Sequence, residues 1–177
     1  MIDFSRNHFQ LFDLPQRYRI DGAALDAAYR ALQATVHPDR HAQADDAQRR
    51  VAMQASARVN EAYATLKDPV LRAQYLLRLH GVEAVGETDT ALPFDFLEAQ
   101  LERREAAEDA RRAGDDRTLA ALLADVRAAA RDLEARLGSE LDDARAFAHA
   151  RTHARQLTFL AKLAQDLDEI LAALDER

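Results

Sequence analysis

The sequence contains no cysteine, and this absence excludes both a disulfide framework and a metal site built on thiolates. Glycine and proline are scarce as well, at five and four residues in a chain of 177, so few positions are suited to turns. The abundant residues, among them alanine, leucine, glutamate and arginine, favour helix. With 48% hydrophobic residues the chain is apolar enough to bury a core. We therefore expect a folded, all-α protein.

Segments that would direct the chain into a membrane or out of the cell are missing. Residues 1–14 lack the basic stretch followed by an apolar stretch that a secretory signal requires. No later run is long and apolar enough to cross a bilayer. The motifs described below begin close to Met1 and leave no room for a transit peptide. The sequence therefore predicts a soluble, cytoplasmic bacterial protein with no membrane partner.

Enzyme motifs are missing in the same way. The chain has no P-loop, no dinucleotide-binding glycine pattern, no nucleophile elbow and no HExxH zinc motif. Only three serines are available as nucleophiles. We therefore predict that the protein is not an enzyme and has no cofactor.

Charge is divided unevenly along the chain. Residues 1–80 contain 11 basic and 9 acidic side chains, whereas residues 81–177 contain 13 basic and 22 acidic ones. The first part therefore carries a net charge of +2 and the second a net charge of −9. Because phosphate backbones repel an acidic surface, this pattern argues against a nucleic-acid ligand and for different partners of the two parts.

Two segments near the N-terminus show the apolar spacing of amphipathic helices. The first follows Asp21, a suitable N-cap, and the second ends before Asp68. Apolar residues recur every three or four positions, so the two helices are expected to pack as an antiparallel hairpin. These positions are Leu25, Ala28, Tyr29, Leu32 and Val36 in the first helix, and Val51, Ala55, Val59, Ala62, Tyr63 and Leu66 in the second.

The tripeptide His37-Pro38-Asp39 lies between these segments. Pro38 fixes its own φ and disfavours helical backbone at His37. The turn is therefore predicted to present His37 and Asp39 outward.

A shorter helix and a linker are predicted next. Asp68 and Pro69 supply an N-cap and a favoured first helical residue, and Gly81 supplies a left-handed stop after His80. Residues 81–91 contain two glycines and no helical stripe, so we interpret them as a linker.

Three further helices are predicted beyond the linker. The first begins near residues 92–95 and ends at Ala113, the second ends at Gly138, and the third begins at about Leu141. Short turns between them favour an antiparallel bundle. A coiled-coil arm is the alternative, although the apolar stripes are not strict heptads.

These motifs resemble a known family. The opening residues 9–15 (FQLFDLP), the helical hairpin and the His-Pro-Asp tripeptide resemble a J-domain. Residues 60–66, 68–69, 72–81 and 96–105 resemble the HscB family of iron–sulfur co-chaperones. The resemblance covers nearly the whole chain, in the family's order. It implies an L-shaped protein with a J-domain over residues 1–80, the linker over 81–91 and a three-helix scaffold-binding domain over 92–177.

The resemblance implies a DnaK-type chaperone, HscA-like, as the first partner, because the family's tripeptide stimulates ATP hydrolysis by such a chaperone. The contact would comprise the loop and one helix face, with the residues His37, Pro38, Asp39, Arg40, Arg30 and Gln33. We hypothesise that Asp39 accepts charge-assisted hydrogen bonds from an arginine of the chaperone. Asp26 lies four residues before Arg30 and is expected to pair with it. The basic patch is thin, so we predict weak, salt-sensitive association.

The resemblance implies the iron–sulfur scaffold protein IscU as the second partner. In the family the C-terminal bundle binds this scaffold through its first and last helices. The matching residues are Leu97, Leu101, Glu102, Arg104, Glu105 and Phe159. Glu98 stands where an apolar residue is expected. Without cysteine, the protein should escort the scaffold without ligating the cluster through thiolates.

Other interpretations of these residues remain. Leucines at helical spacing usually form core, so spacing alone assigns Leu97 and Leu101 to a bundle interior, whereas Phe159 lies one residue off its stripe and is expected to be partly exposed. His37, Asp39 and His41 are clustered ligand types, but no second ligand cluster accompanies them. A J-domain protein with a different client, a helical adaptor without chaperone contact and a metal-dependent hydrolase are the competing functions.

Overall fold

The computed structural model of the chain describes residues 3–36, 45–84 and 92–175. Every regular element within these ranges is helical, which confirms the all-α prediction. In chain order the elements are α1 (His8–Leu11), α2 (Gly22–Val36), α3 (Asp46–Lys67), α4 (Pro69–Leu79), α5 (Phe94–Ala113), α6 (Asp116–Gly138), a π-helical turn (Ser139–Ala144) and α7 (Phe147–Asp175). The chain forms two compact units, Met1–Leu76 and Leu77–Arg177.

In the first unit α2 and α3 form the predicted antiparallel hairpin. Asp26 near the start of α2 pairs with Lys67 at the end of α3, whereas Gln33 near the end of α2 bonds to Asn60, earlier in α3. The start of α2 thus contacts the end of α3 and the end of α2 contacts an earlier part of α3, so the two helices run in opposite directions. The apolar stripes meet in a core that includes Phe9, Phe12, Leu25, Val59, Ala62, Leu66 and Leu76.

The helix ends form as their cap residues predict. The Asp21 carboxylate accepts hydrogen bonds from the amides of Ala23 and Ala24 at 2.9 and 3.2 Å. Asp68 does the same for two amides in the first turn of α4, at 2.7 and 2.9 Å. Gly81 follows α4 with φ 74°, a left-handed conformation that favours glycine. Local chemistry therefore determines where these helices begin and end.

One position of the predicted α3 stripe is wrong. Val51 is 42% exposed, whereas its neighbour Ala52 is buried at 6%. The buried row runs through Ala52, Ala55, Val59 and Ala62, a spacing of three and four residues that matches the helical period. Ala52, although smaller than Val51, faces the core because it lies on the same side of the helix as Ala55, Val59 and Ala62.

The second unit contains the predicted antiparallel three-helix bundle. Arg103 of α5 pairs with Asp125 of α6 at 2.9 Å, and Arg127 of α6 pairs with Asp168 of α7 at 2.8 Å. The three helices share one core, so the coiled-coil arm is excluded for this unit. The core cluster comprises the buried residues Ala107, Ala110, Leu119, Leu123, Val126, Leu160, Leu163 and Leu167.

The last helix begins later than its apolar pattern predicts. After α6 the chain continues through the π-helical turn, and Arg145 then adopts a left-handed φ of 50° before α7 starts at Phe147. Leu141 is buried, with 7% of its surface exposed, as its place in the apolar pattern predicts. However, it belongs to the π-helical turn and not to α7.

Residues just after α4 are held against α7 in this unit. Arg151 donates a hydrogen bond to the Glu83 carbonyl at 2.8 Å, and Arg155 donates one to the Ala84 carbonyl at 2.7 Å. Ala84 is only 3% exposed. Glu83 and Ala84 of the predicted linker are therefore held on the bundle, and residues 85–91 lie outside the described ranges.

Candidate functional sites

The His-Pro-Asp tripeptide lies outside the described residues. The same holds for Arg40 and for His41 of the alternative metal site. The assignments of His37, Pro38, Asp39 and Arg40 therefore stay predictions. The structure does describe the helix face that leads to them.

Gln33 bridges α2 and α3. Its side-chain amide donates hydrogen bonds to the Tyr29 hydroxyl at 3.2 Å and to the side-chain oxygen Oδ1 of Asn60. Tyr29 also donates to Asn60 at 3.0 Å and stacks on Tyr63 with ring centroids 4.0 Å apart. Gln33 is half-buried. These contacts show that Gln33 helps to position the hairpin, whatever it contacts in a partner.

The expected pair between Asp26 and Arg30 is wrong. Lys67 donates to both carboxylate oxygens of Asp26 at 2.7 and 2.9 Å, and Tyr63 donates to the same carboxylate at 3.0 Å. The antiparallel packing brings these α3 side chains opposite Asp26. Arg30 is exposed and makes no ion pair with any residue of the three described ranges. Its guanidinium is therefore available to a carboxylate of a partner.

The contacts of Asp26 lower the pKa of its carboxyl group. Hydrogen bonds from Lys67 first and Tyr63 second lower the pKa of Asp26 below its ordinary value, and Arg30 contributes least. We expect Lys67→Met to raise the Asp26 pKa toward that value and Arg30→Met to change it little. Titration of the side-chain carboxyl carbon by NMR measures both. If the Asp26 pKa rose more in Arg30→Met than in Lys67→Met, Arg30 would be the main partner of Asp26, as the sequence spacing predicts.

The sign of the accompanying stability change follows from the lowered pKa. Ionised Asp26 stabilises the fold above the unfolded-state pKa of an aspartate, about 4, and this contribution is lost as the pH falls through the lower folded-state pKa. The stability difference between wild type and Lys67→Met should therefore shrink in acid. Denaturation at several pH values would measure it.

Three large apolar side chains on α5 face solvent. Phe94 is 76% exposed, Leu97 42% and Leu101 60%. The assignment of Leu97 and Leu101 to the bundle core is therefore wrong. The three residues lie at positions i, i+3 and i+7, which places them in one row on the helix. Single exposed apolar residues are ordinary, whereas a continuous row of them is typical of an interaction surface.

An acidic strip borders this row. Glu98, Glu102 and Glu105 are exposed, and none forms an ion pair within the part of the chain that the structure describes. Glu108, one turn further, does have partners. Hydrogen bonds from Arg111 and Arg112 lower the pKa of Glu108 to about 2. The three free carboxylates therefore leave negative charge beside an apolar row.

Phe159 of α7 adjoins this face of α5. Its ring meets the ring of Phe96 edge-on at 84°, with centroids 6.2 Å apart. The guanidinium of Arg104 lies 5.2 Å from the Phe159 centroid, a cation–π contact. Phe159 is half-buried, as its position beside the α7 stripe predicts. Two side chains of α5, Phe96 and Arg104, thus contact this ring.

Five of the six residues matched to scaffold binding lie on the exposed side of α5, and the sixth, Phe159 of α7, contacts Arg104. We call this the α5–α7 surface, formed by Leu97, Leu101, Glu102, Arg104, Glu105 and Phe159. Sequence reasoning missed Phe94 and Phe96. The signal for Phe94 was its spacing of three residues before Leu97. Nothing in the spacing of Phe96 indicated its contact with Phe159 across two helices.

The described ranges contain neither a metal-binding cluster nor a membrane-spanning helix. Within residues 3–36, 45–84 and 92–175, no three or more His, Asp or Glu side chains are grouped so that they could hold a metal ion. His153 contacts Glu140 at 2.9 Å and His149 is exposed. In the same part of the chain no helix has the length and apolar character needed to span a membrane.

Comparison with known proteins gives consistent matches along the chain. The family model of the DnaJ domain matches residues 7–75, and the model of the HSCB C-terminal oligomerisation domain matches residues 92–168. A co-chaperone protein HscB homolog from Ralstonia nicotianae is 48% identical over 172 residues, which cover 97% of this chain and 98% of that protein. The homolog from Burkholderia multivorans is 47% identical over 99% of both chains.

Solved structures give the same match. The chaperone HscB from Vibrio cholerae superposes with a TM-score of 0.84 at 36% identity, over 96% of this chain and 99% of that chain. The human co-chaperone protein HscB superposes with a TM-score of 0.88 at 27% identity, over 94% of this chain and 83% of that chain.

Proposed function

Because the chain belongs to the HscB family of co-chaperones, we propose that it stimulates the ATPase of an HscA-like, DnaK-type chaperone and delivers an IscU-like scaffold protein to it. In this role the protein assists the maturation of iron–sulfur proteins by regulating the ATPase activity of the chaperone. The hairpin loop at His37, Pro38 and Asp39 contacts the chaperone, and the α5–α7 surface contacts the scaffold.

The observation that carries the scaffold assignment is the exposure of Leu97 and Leu101. Leu97 and Leu101 are 42% and 60% exposed and lie outside the bundle core, so they contribute little to it. A partner that covers them removes apolar area from water, and such central apolar contacts carry most of the affinity of many interfaces. The half-buried ring of Phe159 enlarges the same contact area.

Charge beside the apolar row supports a partner with a basic rim. Glu102 and Glu105 have no ion pair among the described residues, so a cationic partner gains their attraction without breaking internal bonds. Arg104 is occupied by the Phe159 ring and orients that ring.

The chaperone contact rests on the family and on the α2 face. Arg30 is exposed and unpaired within the described ranges, so it offers a cation to an acidic surface of the chaperone. A single cation and the loop make a small contact, which predicts weak binding that weakens further with salt. Because both contacts are on one chain, the ternary complex gains effective concentration although each pair binds weakly.

Single-turnover ATP hydrolysis tests the proposal. The HscA-like chaperone would be measured alone, with this protein, with the IscU-like scaffold and with both. We expect stimulation by this protein and a larger, synergistic stimulation when the scaffold is added. No stimulation would overturn the chaperone assignment. Stimulation that is indifferent to the scaffold would favour a J-domain protein with a different client.

A further inference from the structure

Phe94 is the most exposed large hydrophobic side chain among the described residues, at 76%. It is the first residue of α5, after the N-cap Pro93. The residues of α5 that face the bundle, such as Gln100 and Ala107, lie on the opposite side of the helix. The fold therefore does not require an aromatic ring at this position.

The position of Phe94 on the helix continues the apolar row of the α5–α7 surface. At about 100° per residue, Phe94 lies roughly 20° around the helix axis from Leu101 and about 60° from Leu97. On its far side lie the carboxylates of the acidic strip, Glu105 at about 20°, Glu98 at about 40° and Glu102 at about 80°. Around α5 the order is therefore Leu97, Leu101, Phe94 and then the carboxylates.

Glu98 limits the apolar row on this side of α5. Its charged side chain is exposed one turn after Phe94, so the row ends there at the Phe94 ring. An aromatic side chain contributes more buried area than an aliphatic one when a partner covers it.

We propose that Phe94 is an additional, specificity-determining contact for the scaffold protein, extending the α5–α7 surface to the start of α5. This inference rests on the proposed function. The charge of the face favours this occupant over a second copy of the chain. Two such faces would bring Glu98, Glu102 and Glu105 against their own like charges, which is unfavourable, whereas a scaffold that presents basic residues around its apolar contact would be attracted to them.

Calorimetric titration of the IscU-like scaffold into the full chain tests this contact. We expect Phe94→Ala to raise Kd about five- to tenfold, because truncating an interface side chain that contributes to affinity usually has an effect of this size. Phe4→Ala is the matched control, because Phe4 is 47% exposed in the other unit and lies outside both proposed surfaces. It should leave Kd unchanged, and Leu101→Ala should raise Kd as the reference for the proposed surface.

A second measurement reports burial directly. The chain has no tryptophan, so Phe94→Trp introduces a unique probe. After subtraction of the scaffold's own signal, its emission should shift to shorter wavelength when the scaffold is added. The emission of Phe4→Trp should not shift.

The outcomes separate this inference from the proposed function. A loss of affinity in both Phe94→Ala and Leu101→Ala, with a blue shift at position 94, supports the inference. A loss in Leu101→Ala alone, with no shift at position 94, overturns the inference and leaves the proposed function standing. No binding by wild type overturns both. Concentration-dependent dimerisation that Phe94→Ala abolishes, with scaffold affinity unchanged, would assign the ring to self-association and overturn the inference.

Discussion

Replacing Asp39 with asparagine should reduce the stimulated rate of ATP hydrolysis by the HscA-like chaperone at least about tenfold. The reason is the hypothesis that this carboxylate accepts charge-assisted hydrogen bonds from an arginine of the chaperone. Hydrogen bonds to charged groups contribute about 1.5 to 3 kcal/mol, or roughly one to two orders of magnitude in an equilibrium. His37→Gln, which alters the first residue of the tripeptide, should abolish stimulation. Single-turnover hydrolysis measures both.

The matched control for this change is Asp46→Asn. Asp46 is an exposed aspartate in the first turn of α3, with a surface ion pair to Arg49. The substitution removes the same charge close to the loop, and such surface pairs contribute little to stability. Equal losses in the two variants would trace the effect to net charge, and full stimulation by Asp39→Asn would refute the arginine hypothesis.

The double substitution Leu97→Ala/Leu101→Ala should weaken scaffold binding about a hundredfold. Each leucine would lose an interface contact of about 1 to 2 kcal/mol, and the two effects together correspond to roughly two orders of magnitude in Kd. Because both side chains are exposed, the free energy of unfolding should change by less than about 1 kcal/mol in total. Calorimetric titration and denaturant unfolding measure the two quantities.

The control for the double substitution is Met53→Ala/Leu71→Ala. These side chains are 62% and 44% exposed, but they lie in the first unit. The control should leave scaffold affinity unchanged. The leucine variant should also keep the stimulation of the chaperone that is observed without scaffold. Loss of that stimulation would show that the leucines support the fold or the chaperone contact, and would count against the proposed surface.

Helix boundaries could be predicted from the sequence because they depend on neighbouring residues. The Asp21 and Asp68 carboxylates cap the amides of the turns that follow them, and Gly81 and Gly114 adopt the left-handed conformations that end helices. The start of α7 could not be predicted in this way. Leu141 continues the apolar pattern, but the π-helical turn and the left-handed Arg145 delay the helix to Phe147.

The candidate surface was only partly predictable. Matching to the family selected Leu97, Leu101 and Phe159, whereas spacing alone assigned the two leucines to the core. Exposure is decided by which face of α5 meets α6 and α7, and that depends on the whole bundle. For the same reason the contact between Phe96 and Phe159 could not be inferred from residues 63 positions apart.

By itself the sequence determined the helical class, the capped helix ends, the antiparallel hairpin and the family. These follow from interactions within a few residues, or from motifs that local order preserves. Only the tertiary structure decided that Asp26 pairs with Lys67, that Ala52 faces the core and that Phe94 faces solvent with Leu97 and Leu101. Each of these depends on helix phase and on side chains distant in sequence, because packing selects one arrangement among several that local propensity allows.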